Sequence, residues 1–100
     1  MKTAVRAKLE DMRAEYEEKP YSELLKIEWH DLPSVKVAGS MYKPAVFTES
    51  YQGNLLLVVQ LQKTLFLVWK QTDCLGSVIA ESGVLKQVNE EFIWNEIGHP

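Results

Sequence analysis

The residues of this chain that could carry out chemistry are few and well separated. His30 and Asp31 are adjacent and closely follow Glu28, and a histidine beside a carboxylate can act as a general base. Neighbouring side chains on an extended segment point in opposite directions, so the two need not interact. We therefore favour a surface connector over an acid–base site at this position.

Cys74 is the only cysteine, and His30 and His99 are the only histidines. A catalytic thiol needs a nearby cation or a helix N-terminus to lower its pKa, whereas Cys74 follows an aspartate. A pairing of Cys74 with either histidine stays open, but an inert, buried cysteine is the favoured interpretation. A single cysteine also rules out an intramolecular disulfide and a cysteine-based metal cluster.

Sequence motifs of the large enzyme classes do not occur in this chain. It has no glycine-rich phosphate loop, HExxH, GxSxG or Cys/His metal spacing, so we expect no catalysis, no cofactor and no metal site. The net charge of -3 gives no basic stripe to neutralise phosphates, so we expect no nucleic-acid partner. The composition, 46% hydrophobic and 25% charged, predicts a single globular domain over residues 1–100.

Any site must be positioned by the secondary-structure elements, and two apolar runs, Leu55–Val59 and Leu65–Trp69, are the most prominent of these. A polar spacer, Gln60–Thr64, separates the two runs. Both runs suit β-strands, and each has apolar residues on both faces, so the sheet must be covered on both sides. The polar spacer argues against a membrane span. The N-terminus has lysines but no apolar leader, so we expect a cytoplasmic protein without a membrane partner.

An amphipathic helix is predicted over Thr3–Glu18. Its apolar residues Val5, Leu9, Met12 and Tyr16 recur at helical spacing and form one narrow seam. We expect this seam to cover one face of the sheet, and the alternative is that it pairs with the same seam of a second chain.

The remaining chain predicts short strands separated by turns, and a final helix with Asn89 as its N-cap. Pro44 should place its strand at an edge or a bulge, and Asp73–Gly76 is predicted to be a turn. The resulting class is α+β: an N-terminal amphipathic helix, an antiparallel β-meander of four to five strands and a short C-terminal helix. The further predicted elements are a second helix, Tyr21–Ile27, capped by Ser22; a connector, Glu28–Pro33; strands around Val35 and Val37 and over Met41–Ser50, Ser77–Glu81 and Val84–Val88; and the last helix, Glu90–Ile97.

Five segments resemble a loose group of small bacterial α+β proteins that have no assigned activity. The segments carry a Y-x-E-L-L turn, V-x-V-x-G-x-x-Y, an apolar hairpin, G-x-x-I-x-x-x-G and an acidic–aromatic helix. Their positions are Tyr21–Leu25, Val35–Tyr42, Leu55–Trp69, Gly76–Gly83 and Glu90–Trp94. These motifs belong to turns and cores, so the resemblance implies the fold and leaves the function open.

Aromatic residues offer the best candidates for recognition. Tryptophan and tyrosine are enriched at interface hot spots, although they also fill the cores of small domains. We expect Trp69 in the core, and we consider Trp29 and Trp94 equally suited to either place. Together with the three tryptophans, Tyr42, Phe47 and Tyr51 could line a ligand cup or a recognition face.

The leading hypothesis is a small cytoplasmic protein-interaction module or accessory subunit, acting as a homodimer or with a protein partner. The alternative is a small-molecule-binding domain with a cup between sheet and helices. An enzyme that uses Cys74 or His30 comes third. The candidate interface residues are Trp29, Phe92, Trp94 and the seam residues Val5, Leu9, Met12 and Tyr16.

Overall fold

A computed structural model of the protein describes residues 2–66 and 69–97. It confirms the α+β class, with a sheet of six strands rather than four to five. The elements are α1 (Thr3–Glu17), α2 (Tyr21–Leu24), β1 (Trp29–Asp31), β2 (Val35–Val37), β3 (Ser40–Tyr51), β4 (Asn54–Phe66), β5 (Trp69–Ile79), β6 (Leu85–Val88) and α3 (Glu90–Ile97).

The sheet is antiparallel and follows the order β1-β3-β4-β5-β6, while β2 pairs with the N-terminal part of β3. Two-residue turns join β2 to β3 and β3 to β4. Both turn residues have positive φ in each case, 49° and 81° at Ala38 and Gly39, and 47° and 79° at Gln52 and Gly53. Such turns match the right-handed twist of the strands that they connect.

The prediction of two short central strands is wrong. β4 runs without interruption through the polar spacer, and Gln60 is buried between Ala45 of β3 and Cys74 of β5. The predicted turn at Asp73–Gly76 is likewise part of the continuous strand β5. Neither segment has the residue pairs that force a reversal, and a polar side chain can stay in a strand when its neighbours accept it.

The predicted connector is also wrong in part, because Trp29–Asp31 forms the edge strand β1. The second helix ends at Leu24, and its N-cap is Pro20 rather than Ser22. Pro44 lies in an internal strand, where its carbonyl accepts a hydrogen bond from the Leu32 amide at 3.0 Å. Leu32 lies between β1 and β2, so the pairing of strands along this side of β3 is interrupted here. Proline has no N–H to donate, and its nitrogen is on the side of this interruption.

Both faces of the sheet are covered, as the apolar runs predict. On the α1 face the four seam residues pack on alternate residues of β4, namely Leu55, Leu57, Val59 and Leu61. On the α3 face a smaller cluster contains Leu56, Val58, Cys74, Val88 and Ile93.

A polar network also fixes α1 to the sheet. The buried Arg13 guanidinium donates long hydrogen bonds to the carbonyls of Gly76 and Val88, at 3.4 and 3.5 Å, and lies 3.9 Å from Glu17. Glu17 in turn accepts hydrogen bonds from the Ser77 hydroxyl and the Gln87 amide. Because α1 has no side-chain N-cap and no acid in its first turn, docking supplies much of its stability.

Candidate functional site

A preorganised aromatic pair lies at the β1 edge of the α3 face. Trp29 on β1 stands opposite Phe47 on β3, and their rings stack with centroids 5.1 Å apart and planes 10° from parallel. The Trp29 indole N–H donates to the Asp31 carboxylate at 3.0 Å, which fixes the ring from a second direction. Trp29 is nevertheless 50% exposed, so one face of a rigid indole is available to solvent.

A second aromatic pair lies on the same face. Tyr51, further along β3, meets Phe92 of α3 edge to face, with ring centroids 5.4 Å apart and planes at 68°. Both residues are partly buried against the core cluster of the α3 face. We call Trp29, Phe47, Tyr51 and Phe92 together the aromatic surface.

The remaining predicted anchors occupy different environments. Trp94 is partly buried on α3. The prediction that Trp69 lies in the core is wrong, because this residue begins β5 and is 69% exposed. The burial of a tryptophan in an apolar run thus depends on whether the run reaches the covered part of the sheet, and Trp69 lies beyond it.

The seam residues of α1 lie in the intramolecular core of the α1 face. This is the arrangement that the sequence favours over pairing with a second chain, and it leaves the seam no free surface. The exposed fractions are 1% for Val5, 0% for Leu9, 5% for Met12 and 8% for Tyr16.

The acid–base candidates are not brought together. His30 lies opposite Val46 and so faces the α1 side, whereas Asp31 faces the other side and is bonded to Trp29. Cys74 lies on the α3 face three strand spacings from β1, which is roughly 14 Å at about 4.8 Å per spacing. His99 lies outside the described residues.

The Cys74 thiol is buried, and its surroundings oppose ionisation. Burial, followed by the charges of Glu90 and Asp73, raises its pKa to about 12. The Glu90 carboxylate also accepts a hydrogen bond from the Cys74 backbone amide at 3.0 Å. It thereby satisfies a backbone N–H of β5 at a position that β6 does not reach. The thiolate form needed for nucleophilic or redox chemistry is therefore disfavoured.

The structure also contains two clefts whose lining residues the sequence does not identify. One of about 300 Å³ lies between α1 and the β1–β2 segment, beside Met12, Tyr16 and Leu32. The other, of about 610 Å³, opens where β3 and β4 separate, and it is lined by Lys43 and Lys63 among other residues. No local sequence signal marks either cleft, because each is formed by segments that meet only in the fold.

Within residues 2–66 and 69–97, no group of three or more His, Cys, Asp or Glu side chains is placed to hold a metal ion. No helix in the described part of the chain is both long enough and apolar enough to cross a membrane. Comparisons with protein families, curated proteins and solved structures found no match to this chain.

Proposed function

We propose that the protein is a small cytoplasmic protein-interaction module that uses the aromatic surface to bind a protein partner or a second copy of itself. The observation that carries the proposal is the half-exposed Trp29, stacked on Phe47 and hydrogen-bonded to Asp31. A side chain already held in one orientation loses little conformational entropy when a partner covers it.

The exposed part of Trp29 is large enough to matter energetically. Half of an indole side chain is roughly 100 Å² of surface, and burying it at about 25 cal/mol/Å² contributes about 2.5 kcal/mol. That free energy corresponds to a change in Kd of roughly 30- to 100-fold. Trp29 is thus suited to act as an interface hot spot.

The test compares Trp29→Ala with Trp69→Ala, which removes an exposed tryptophan at the start of β5, outside the aromatic surface. Each tagged variant is used for quantitative capture from native lysate, and the Kd of any recovered partner is then measured with purified proteins. Sedimentation velocity measures self-association in parallel. We expect Trp29→Ala to weaken association roughly 30- to 100-fold and Trp69→Ala to leave it unchanged.

Two results would contradict the proposal. One is a monomeric protein that recovers no stoichiometric partner. The other is association that Trp29→Ala and Trp69→Ala affect equally, since the aromatic surface would then have no special role.

A second candidate function is small-molecule binding in a cup between sheet and helices. The cleft of about 300 Å³ beside α1 favours it, because Met12 and Leu32 give it apolar walls while Lys8 and Glu15 supply polar groups at its rim. A thermal-shift screen of metabolites distinguishes the two: a ligand whose effect is lost in Lys8→Gln supports the cup.

A further inference from the structure

The strands β3 and β4 separate at a fork. Their ladder ends at the pair Lys43 and Gln62. Beyond this pair β3 continues with β2, whereas β4 continues with β5 as far as Phe66. The cleft of about 610 Å³ occupies the space between the two branches, and its lining includes Ser34, Ser40, Met41, Lys43, Lys63 and Thr64. We call this space the fork cleft.

Backbone donors point into the fork cleft. The two-residue turn makes Tyr51 and Asn54 a hydrogen-bonded pair, and such pairs alternate along an antiparallel ladder. The alternation would make Met41 and Thr64 the next hydrogen-bonded pair after Lys43 and Gln62. The strands have separated there, so the N–H and C=O groups of Met41 and Thr64 face the cleft without a ladder partner among the described strands.

Two lysines approach the cleft from opposite faces of the sheet. Lys63 is on the α1 face, where its ammonium lies 5.7 Å from the centroid of the Tyr42 ring on β3. Lys43 neighbours Tyr42 and so lies on the α3 face. The two lysine side chains therefore leave the strands on opposite sides of the plane in which the backbone donors lie.

No carboxylate is part of the described lining of the fork cleft, which carries two positive charges in a chain whose net charge is -3. Among the described residues the ion pairs are Arg6–Glu10 and Arg13–Glu17, and neither lysine belongs to one of these two pairs. Two ammonium groups beside backbone N–H donors favour negative charge in the cleft, while Lys63 also acts on the buried carboxyl of Asp73 on the α1 face.

We propose that the fork cleft binds a compact oxyanion with two or more negative charges, such as a phosphate group or a polycarboxylate. The anion would lie in the plane of the sheet, with Lys43 on one side and Lys63 on the other. The N–H groups of Met41 and Thr64 and the hydroxyl of Thr64 would donate to its oxygens. This site goes beyond the proposed protein interaction, because Trp29 is not part of it.

The test is an NMR titration of the ¹⁵N-labelled protein with inorganic phosphate and, separately, with citrate. Sodium chloride keeps the ionic strength constant, so that general screening does not imitate binding. We expect saturable shifts of the Met41 and Thr64 amide signals. Phosphate binding more tightly than citrate would identify a phosphoryl ligand, and the reverse order would identify a polycarboxylate.

The Lys43→Gln/Lys63→Gln double variant should weaken binding at least tenfold. The matched control, Lys26→Gln/Lys86→Gln, removes the same charge from exposed positions outside the cleft and should change the affinity less than twofold. Circular dichroism and thermal unfolding confirm that both variants are folded. Non-saturable shifts with both anions, or equal weakening in both double variants, would overturn the proposal. The Trp29 experiment is independent of either outcome.

Discussion

Asp73 is a carboxylic acid buried on the α1 face of the sheet, opposite Leu61. Burial and then the charge of Glu90 raise its pKa above the ordinary 3.8, although the positive charge of Lys63 acts in the other direction. The folded protein therefore retains the carboxyl proton of Asp73 at a pH where the unfolded chain has lost it. The contribution of Asp73 to stability is complete below about pH 3.8 and is lost as the pH rises through the higher folded-state pKa.

We predict that Asp73→Asn raises the free energy of unfolding at pH 7 and changes it much less at pH 3. The amide keeps the shape of the side chain but needs no charge to be buried. Urea unfolding at the two pH values measures the effect, and Glu81→Gln at an exposed turn serves as the control. An equal gain in the free energy of unfolding at both pH values, or a loss at pH 7, would show that burial does not raise the pKa of Asp73.

The side-chain environments of individual residues were predicted unequally well. The α1 seam was correctly expected to cover the sheet, because its spacing reflects a helix that buries one stripe. Trp69 was wrongly expected in the core, because composition does not reveal how far a strand projects past its neighbours. The pairing of Trp29 with Phe47 depends on strand register, which the local sequence around β1 does not encode.

The C-terminal helix α3 depends on its first turn for position. The Asn89 side chain accepts a hydrogen bond from the Phe92 amide at 2.9 Å, and Glu90 and Glu91 follow at the positive end of the helix dipole. This arrangement confirms the predicted N-cap. It also aligns α3 so that Ile93 reaches the sheet above Gly76, where an added Cβ would lie 2.5 Å from the Leu57 carbonyl oxygen.

We predict that Asn89→Ala lowers the free energy of unfolding by about 1 kcal/mol, because one backbone donor of the first turn loses its acceptor. Asn89→Ser keeps an acceptor at the same place and should cost only a few tenths of a kcal/mol. Urea unfolding followed by circular dichroism measures both. If the two variants are equally unstable, the cap does not hold α3.

Strand boundaries show which elements the sequence could predict. β6 and α3 follow recognisable turn and cap residues, and both were placed correctly within one residue. β4 and β5 are longer than the sequence predicts, because their polar residues resemble connecting segments. In the structure the Gln62 amide donates to the Thr72 hydroxyl at 3.1 Å, so paired polar side chains continue the two strands past their apolar centres.

At the scale of the whole molecule, stability depends on covering a sheet that is apolar on both faces. α1 supplies most of the cover on one side, and Leu9 at its centre is fully buried. α3 covers the smaller cluster on the other side through Ile93. A domain of this size has a total stability of about 5–15 kcal/mol, so the loss of one such contact is a large fraction of it.

We predict that Leu9→Ala costs about 3 kcal/mol, through lost burial and the cavity that remains. Leu25→Ala is the matched control, since it deletes the same atoms from a side chain that is 54% exposed, and it should cost less than about 0.5 kcal/mol. Chemical unfolding measures both differences. Similar costs would mean that α1 is not the main cover of the sheet.

The overall arrangement explains why the sequence predicts the fold class but not the fork cleft. Helix and strand periodicities are local, so they predicted an α+β molecule with a doubly covered sheet. Lys43 and Lys63 are 20 positions apart and become neighbours of one cleft only because β3 and β4 first pair and then diverge. Such a site is a property of topology rather than of any motif.

The break between β1 and β2 has a consequence for how the protein behaves at high concentration. An exposed sheet edge can recruit another strand, and fibril-forming segments are typically six or seven residues long. Here the edge beside β3 is divided into Trp29–Asp31 and Val35–Val37, each three residues long, with Pro33 between them. Neither piece is long enough to template a fibril, so this edge can expose an aromatic side chain for recognition without seeding aggregation.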